Sequence, residues 1–224
     1  MGLKRLIKNI QLIFFLIKTL IKYFIKGPRR YLNLFFFIII QKPITILEIG
    51  VYRGDRSLEM IKIAKIFNKK VNYYGFDLFQ DFYNDTSILK KELSKNPHYY
   101  ESIKKKLNKY AKIFLFKGYT NKTLPKFIKN YSGLKIDFVF IDGGHSIKTI
   151  ANDWYYVKKM MHKNTIVIFD DYYFNNNKFI KKFGCNKTVN QLTNNYLKNI
   201  LFLKDTIKNL NNIKVQMVMV KRII

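Results

Sequence analysis

From residue 43 onward, short apolar runs alternate with longer stretches whose apolar positions recur at helical spacing. The runs are ITILEIGV (44–51), VNYYGFDL (71–78), KIFLFKG (112–118), IDFVFIDG (136–143) and TIVIFDDY (165–172). They are near-continuous in apolar residues, as strands buried on both faces must be. Segments over about 53–68, 81–108, 121–132 and 146–162 read as helices. Strand then helix, repeated, predicts a parallel sheet covered on both faces. A further helix is expected over about 176–197, followed by strands NILFL (199–203) and KVQMVMVKR (214–222). DTIKNLNN (205–212) between them carries turn residues, so these two are expected to pair antiparallel. The expected fold over 43–224 is α/β, a doubly wound, seven-stranded, mostly parallel sheet without internal repeats.

Residues 1–42 follow a different pattern and are read as a basic, amphipathic helical appendage. The first 30 residues carry eight bases, and no acid precedes Glu48. At about 100° per residue, Lys4, Lys8, Gln11, Lys18, Lys22 and Lys26 fall on one stripe about 100° wide. The longest uncharged run in those 30 residues, 9–17, is far short of the ~20 residues that span a bilayer. No small-residue cleavage site follows it, so a signal peptide is not expected. MGLKRL has Leu6 where a myristoylation signal needs Ser or Thr. Two roles stay open for this helix. It could lie in the interface of an anionic membrane through residues 1–26, or pack on the domain or on a second copy of it. A second apolar run, YLNLFFFIII (31–40), belongs to the same segment.

Charge modifies this picture less than its size suggests. The chain has 42 Lys and Arg against 14 Asp and Glu, a formal charge of +28 over 224 residues. A nucleic acid, an anionic membrane or an acidic substrate would each suit it. The bases are overwhelmingly Lys, however, with only six Arg, and Ile, Asn, Phe and Tyr are also abundant, a mixture that AT-rich coding produces alone. Base and phosphate recognition leans on the Arg fork, so a solvated Lys-rich surface is favoured over nucleic acid. The lone Cys185 excludes a disulfide framework and a Cys-rich zinc site, which places the chain in a reducing, cytoplasmic compartment, peripheral to the inner membrane face if the N-terminal helix binds lipid.

Against that basic background the acids stand out. Glu48, Asp77, Asp142, Asp170 and Asp171 all sit in or beside the carboxyl ends of predicted strands, where open parallel sheets bind ligands. EIGVYRG (48–54) is E-x-G-x-x-x-G, with Tyr52 where such loops often hold a second glycine. Gly50 would let the backbone approach a ligand, and Gly54 opens a helix whose N-terminus offers N–H groups. Asp77 could accept both ribose hydroxyls of a nucleoside, or cap a helix. Asp142, Asp170 and Asp171 would repel one another unless a cation held them. Oxygen ligation suits Mg²⁺; the alternative is that they cap helices and accept backbone N–H groups. His145 is either a general base or a locally bonded residue at a helix start.

ILEIGVYRGDRSLEM, YYGFDLF, KIDFVFIDGGHSIKTIANDW and TIVIFDDYY together resemble class I S-adenosylmethionine-dependent methyltransferases. The group most similar is that of the macrocin and mycinamicin sugar O-methyltransferases with an IDGGH motif, and more distantly catechol O-methyltransferase. The resemblance runs from about residue 44 to 222. It implies a Rossmann-like methyltransferase fold with cofactor contacts from Glu48, Gly50, Tyr52, Gly54, Asp77, Gly118 and Asp142. It also implies a divalent cation on Asp142, Asp170 and Asp171, with Asp142 or His145 taking a proton from a small hydroxylated acceptor such as a sugar or glycolipid. Tyr119 stands where relatives often carry an acidic or small residue near adenine. Acceptor specificity is expected from loops 79–100 and 172–186. An RNA methyltransferase on the same fold is the alternative, although the Asn/Asp-Pro-Pro-aromatic motif of base methylation is absent. A non-catalytic membrane scaffold is disfavoured by the intact carboxylate set.

Overall fold

A computed structural model of the chain describes residues 2–79, 98–175, 177–208 and 212–223. Two helices come first, α1 (Gly2–Ile25) and α2 (Tyr31–Gln41). Then follow β1 (Thr45–Ile49), α3 (Asp55–Phe67), β2 (Asn72–Asp77), α4 (Tyr100–Asn108), β3 (Lys112–Lys117) and α5 (Thr120–Asn130). The second half holds β4 (Ile136–Ile141), α6 (Ile147–Val157), β5 (Met161–Phe174), short helices α7 (Asn177–Ile180) and α8 (Asn186–Asn190), β6 (Tyr196–Ile207) and β7 (Ile213–Arg222). The strands form one seven-stranded sheet in the order β3-β2-β1-β4-β5-β7-β6. β1 to β5 are parallel, whereas β7 pairs antiparallel with both β5 and β6. The chain is therefore a doubly wound α/β protein, and the order reverses between β1 and β4, beside Glu48 and Asp142.

Because side chains alternate along a strand, the sheet carries two cores. Ile46, Tyr73, Phe138, Phe140, Ile168 and Met217 point to one face and pack under α1, α2, α3 and α4. Leu47, Phe76, Val139, Val167, Phe169 and Val218 point to the other, under α5 and α6. Residues 1–42 share the first of these cores with the rest of the chain. Tyr23, Leu34, Phe35 and Ile38 are buried in it, and α1 and α2 both pack against α3. The α1 side facing the domain also contributes Leu12 and Thr19.

Three expected boundaries shift. The helix expected over 146–162 stops at Val157, passes through a 3₁₀ turn at Lys158–Met160, and gives way to β5 at Met161. β5 in turn runs on to Phe174, since Tyr172, Tyr173 and Phe174 continue the ladder with β7. The long helix expected over 176–197 is replaced by α7, α8 and an early start to β6 at Tyr196. Gly184, at φ +89°, breaks any helical run, and the Asn186 amide pairs with the backbone of β5. Its oxygen accepts from the Tyr173 N–H at 3.0 Å and its nitrogen donates to the Tyr173 carbonyl at 2.9 Å. Most of the helix expected over 81–108 lies outside the described residues; its end is α4.

Adjacent residues on α2 provide a test of how far this segment belongs to the core. Phe35 is fully buried whereas Phe36 is 54 % exposed. Phe35→Ala should cost about 3–5 kcal/mol in urea denaturation, and Phe36→Ala no more than about 0.5 kcal/mol.

Candidate active site

The turn after β1 is built by close backbone contact. The Asp142 N–H donates to the Ile49 carbonyl at 2.8 Å, and the Gly50 N–H to the Phe76 carbonyl at 2.9 Å. Gly50 sits at φ +95°, and a Cβ on it would lie 1.9 Å from the Asp142 carbonyl oxygen, so only glycine can stand there. Tyr52 also takes a left-handed conformation, φ +49°, which accounts for glycine being the common residue at such positions. Its strain is offset by a 2.7 Å bond from its N–H to Asp77 Oδ2. Asp77 Oδ1 accepts from the Phe79 N–H at 3.2 Å, and the Asp77 carbonyl from the Gly118 N–H at 2.9 Å. Gly50, Tyr52, Asp77 and Gly118 are thus gathered around one crevice at the ends of β1, β2 and β3, with Gly54 at φ +68° opening α3.

Glu48 lies apart from that crevice. It points to the face covered by α3, is fully buried, and receives the hydroxyls of Ser57 and Tyr73 on one oxygen. Burial pushes its carboxyl up to about 8, although the Ser57 and Tyr73 hydroxyls pull the other way.

Asp142, Asp170 and Asp171 meet at the ends of β4 and β5, where with Gly143 and Gly144 they line a small pocket. Asp170 and Asp171 are neighbours on β5 and so face opposite sides of the sheet; the β5–β7 register shifts here, between Phe169 and Tyr172, and Asp171 adopts φ +63°. Asp170 turns toward α2 and is gripped by Arg30. Nε donates to Oδ1 at 2.8 Å and a terminal nitrogen to Oδ2 at 2.9 Å. Tyr31 Oη lies 3.2 Å from Asp170 Oδ2 and 3.4 Å from Asp142 Oδ2. Asp171 turns the other way and pairs with His145 Nδ1. The carboxylates therefore do not form the ligand set expected of them. Among the described residues no group of three or more His, Cys, Asp or Glu is placed to hold a metal ion. A guanidinium fork already occupies both oxygens of Asp170, and an octahedral Mg²⁺ would have to displace it.

The electrostatics follow from these pairings. Burial opposes the charge on Arg30, but Asp170 outweighs it and holds the guanidinium firmly protonated. Burial likewise works against His145, yet the bond to Asp171 and its charge raise the imidazole to about 9. Asp171 stays below the ordinary carboxylate range because His145 overcomes the cost of burial. Among the described residues no cation forms an ion pair with Asp142. Burial first, then the charges of Asp170 and Asp171, lift its carboxyl well above the ordinary value. His145 lies just before the helix: Ser146 is the N-cap of α6, its Oγ accepting from the Thr149 N–H at 3.2 Å.

Arg30, Tyr31 and Asp205 were not marked by the sequence. GPRRY offers two of the six Arg after a Gly-Pro turn, but their acidic partner lies 140 residues away, beyond the reach of local pattern. Asp205 on β6 accepts from the backbone N–H groups of Arg29 and Arg30, at 2.8 and 3.1 Å, and from the Arg30 guanidinium at 3.1 Å.

A doubly wound sheet whose seventh strand is antiparallel, with a glycine turn after β1 and acids at the strand ends, defines a Rossmann-like methyltransferase fold. Residues 47–172, more than half of the chain, match the family model of a methyltransferase domain, and the chain belongs to that family. No curated protein sequence matches it significantly. Among solved structures it is similar to an O-methyltransferase from Bacillus cereus in complex with S-adenosylhomocysteine, at 13 % identity and TM-score 0.56, covering 96 % of this chain and 90 % of that one. It is also similar to TomG of Streptomyces achromogenes, an O-methyltransferase of tomaymycin synthesis in complex with S-adenosylmethionine. There the identity is 12 %, the TM-score 0.55, and the coverage 88 % of this chain and 81 % of that one. A putative rRNA-methylase from Clostridium thermocellum matches at 12 % identity and TM-score 0.55, covering 87 % of this chain and 97 % of that one.

Two predictions follow from the buried charges. Glu48 has a folded pKa above its unfolded value, so its contribution to stability is complete below about pH 4.5 and is lost as pH rises to about 8. Glu48→Gln, which keeps an acceptor for Ser57 and Tyr73, should flatten the fall in denaturation midpoint across that range. Arg30→Met leaves Asp170 buried and unpaired and should cost about 3–5 kcal/mol in urea denaturation; adding Asp170→Asn should recover part of the loss.

Proposed function

We propose that the chain transfers a methyl group from S-adenosylmethionine to a hydroxyl of a small acceptor, a sugar or glycolipid by the sequence resemblance. The observation that carries this reading is the Gly50 turn pressed against Asp142. It brings the turn after β1 directly beside a half-buried carboxylate that lines a pocket. The residues present suit the cofactor. Asp77, fixed by Tyr52 and Phe79, keeps lone pairs for ribose hydroxyls. When bound, S-adenosylmethionine supplies a methyl carbon activated by the adjoining sulfonium.

Asp142 is the proton acceptor in this reading. Burial and the charges of Asp170 and Asp171 raise its carboxyl well above the ordinary value, which makes it a stronger base than a free aspartate, and it lines the pocket where an acceptor hydroxyl would sit. With the cofactor bound, its sulfonium would give up the methyl group and keep the electron pair of the C–S bond, and Asp142 would take the proton of the acceptor hydroxyl. His145, protonated up to about pH 9 against Asp171, positions the loop instead of acting as base. Arg30 stands where a divalent cation was expected, so no step passes through a metal.

Calorimetry should detect binding of S-adenosylmethionine to the purified chain, and the absence of binding would overturn the reading. Methylation of a hydroxylated acceptor should persist in a strong chelator. Asp142→Asn should lower kcat by roughly 10²–10⁴-fold, the usual size of general-base catalysis. Methylation of RNA instead, weakening steeply with salt, would replace the small acceptor with a nucleic acid.

A further inference from the structure

We infer that the outward face of α1 is a docking surface for an anionic lipid bilayer. The helix has three faces. Leu12, Thr19 and Tyr23 face the domain and are buried. Lys18 and Lys22 occupy a second sector and are exposed. The third sector is apolar and open to solvent: Ile7, Ile10, Ile13, Phe14, Ile17, Ile21 and Phe24 are each between 44 % and 65 % exposed. At about 100° per residue these seven fall within a sector of about 120°, so they form one continuous stripe along the helix. Isolated exposed apolar residues need no explanation, but an unbroken row of large ones marks a surface that something covers.

The occupant follows from charge and breadth. No helix of the described residues is long and apolar enough to cross a membrane. The stripe also borders on the exposed Lys18, and at its end the Arg29 guanidinium lies 5.6 Å from the centre of the exposed Phe24 ring. An apolar stripe edged by cations suits a helix lying flat in the interface, its apolar side among acyl chains and its bases at anionic head groups. The spacing 7, 10, 14, 17, 21, 24 would also suit a helical seam with a second copy. That partner is disfavoured by charge: α1 contains no acid to pair with the bases of a copy, and each chain carries +28. Ile13 widens the stripe beyond such a seam as well.

The test is co-sedimentation of the full chain with vesicles of phosphatidylcholine alone, or with roughly a third phosphatidylglycerol, an anionic surface. Binding to the anionic vesicles is expected. Phe14→Gln, Ile17→Gln and Phe24→Gln together should weaken it at least about tenfold, with the circular dichroism spectrum and thermal midpoint kept. Lys18→Glu with Lys26→Glu should weaken it on anionic vesicles. Failure to bind would overturn the inference. So would equal binding by the glutamine variant, which would mean attraction by net charge alone, or equal binding to neutral vesicles. A wild-type dimer in analytical ultracentrifugation that the glutamine variant converts to monomer would assign the face to a second copy.

Discussion

The bond between Arg30 and Asp170 ties the parts of this molecule together. Asp170 is almost wholly enclosed, and a carboxylate in that position costs several kcal/mol unless a cation meets it with good geometry. Arg30 supplies that cation from the turn between α1 and α2, held in place by Asp205 reaching across from β6. Three segments far apart in sequence therefore converge on one guanidinium. The two N-terminal helices share one core with the rest of the chain, and Arg30 between them meets the charge at the end of β5. The arrangement continues outward: Arg56 stacks on Tyr31 at 4.0 Å and pairs with Glu59, which also receives Tyr23 and Lys22.

Pairing divides the labour among three neighbouring aspartates. Asp170 has Arg30 and Asp171 has His145, so both negative charges are balanced inside the protein. Asp142 is left as the member whose carboxyl is lifted well above the ordinary range by burial and its neighbours' charges, and it is the one set against the glycine turn. His145 and Asp142 were alternatives as proton acceptors from sequence alone. The proposed mechanism gives the role to Asp142, because the bond to Asp171 raises the His145 imidazole to about 9. The alternation of side chains along β5 makes this division possible, sending Asp170 to the α2 side and Asp171 to His145 on the other.

Much of this was legible in the chain itself. The five parallel strands and the closing antiparallel pair follow from apolar runs and turn residues, because burial on both faces demands such runs. The acids at strand ends stood out because so few acids exist to be placed, and Gly50 and Tyr52 carried the signature of a turn that needs positive φ. What failed did so where tertiary pairing overrode local periodicity. Residues 176–197 read as helical, yet Asn186 and the edge of β5 capture that segment, and β5 itself outruns its apolar core because β7 offers a ladder to extend it.

The sequence by itself determined the order of elements, the family, and the positions from which the site would be built, since these depend on spacing and residue type along the chain. The tertiary structure decided what those positions do to one another. A trio of carboxylates reads as a metal site until an arginine from 140 residues away is seen to hold one of them. A lysine-striped helix reads as merely amphipathic until the fold buries one face and leaves a second, apolar face exposed. Both outcomes turn on contacts between distant segments, and those are set by packing and by the cost of burying charge.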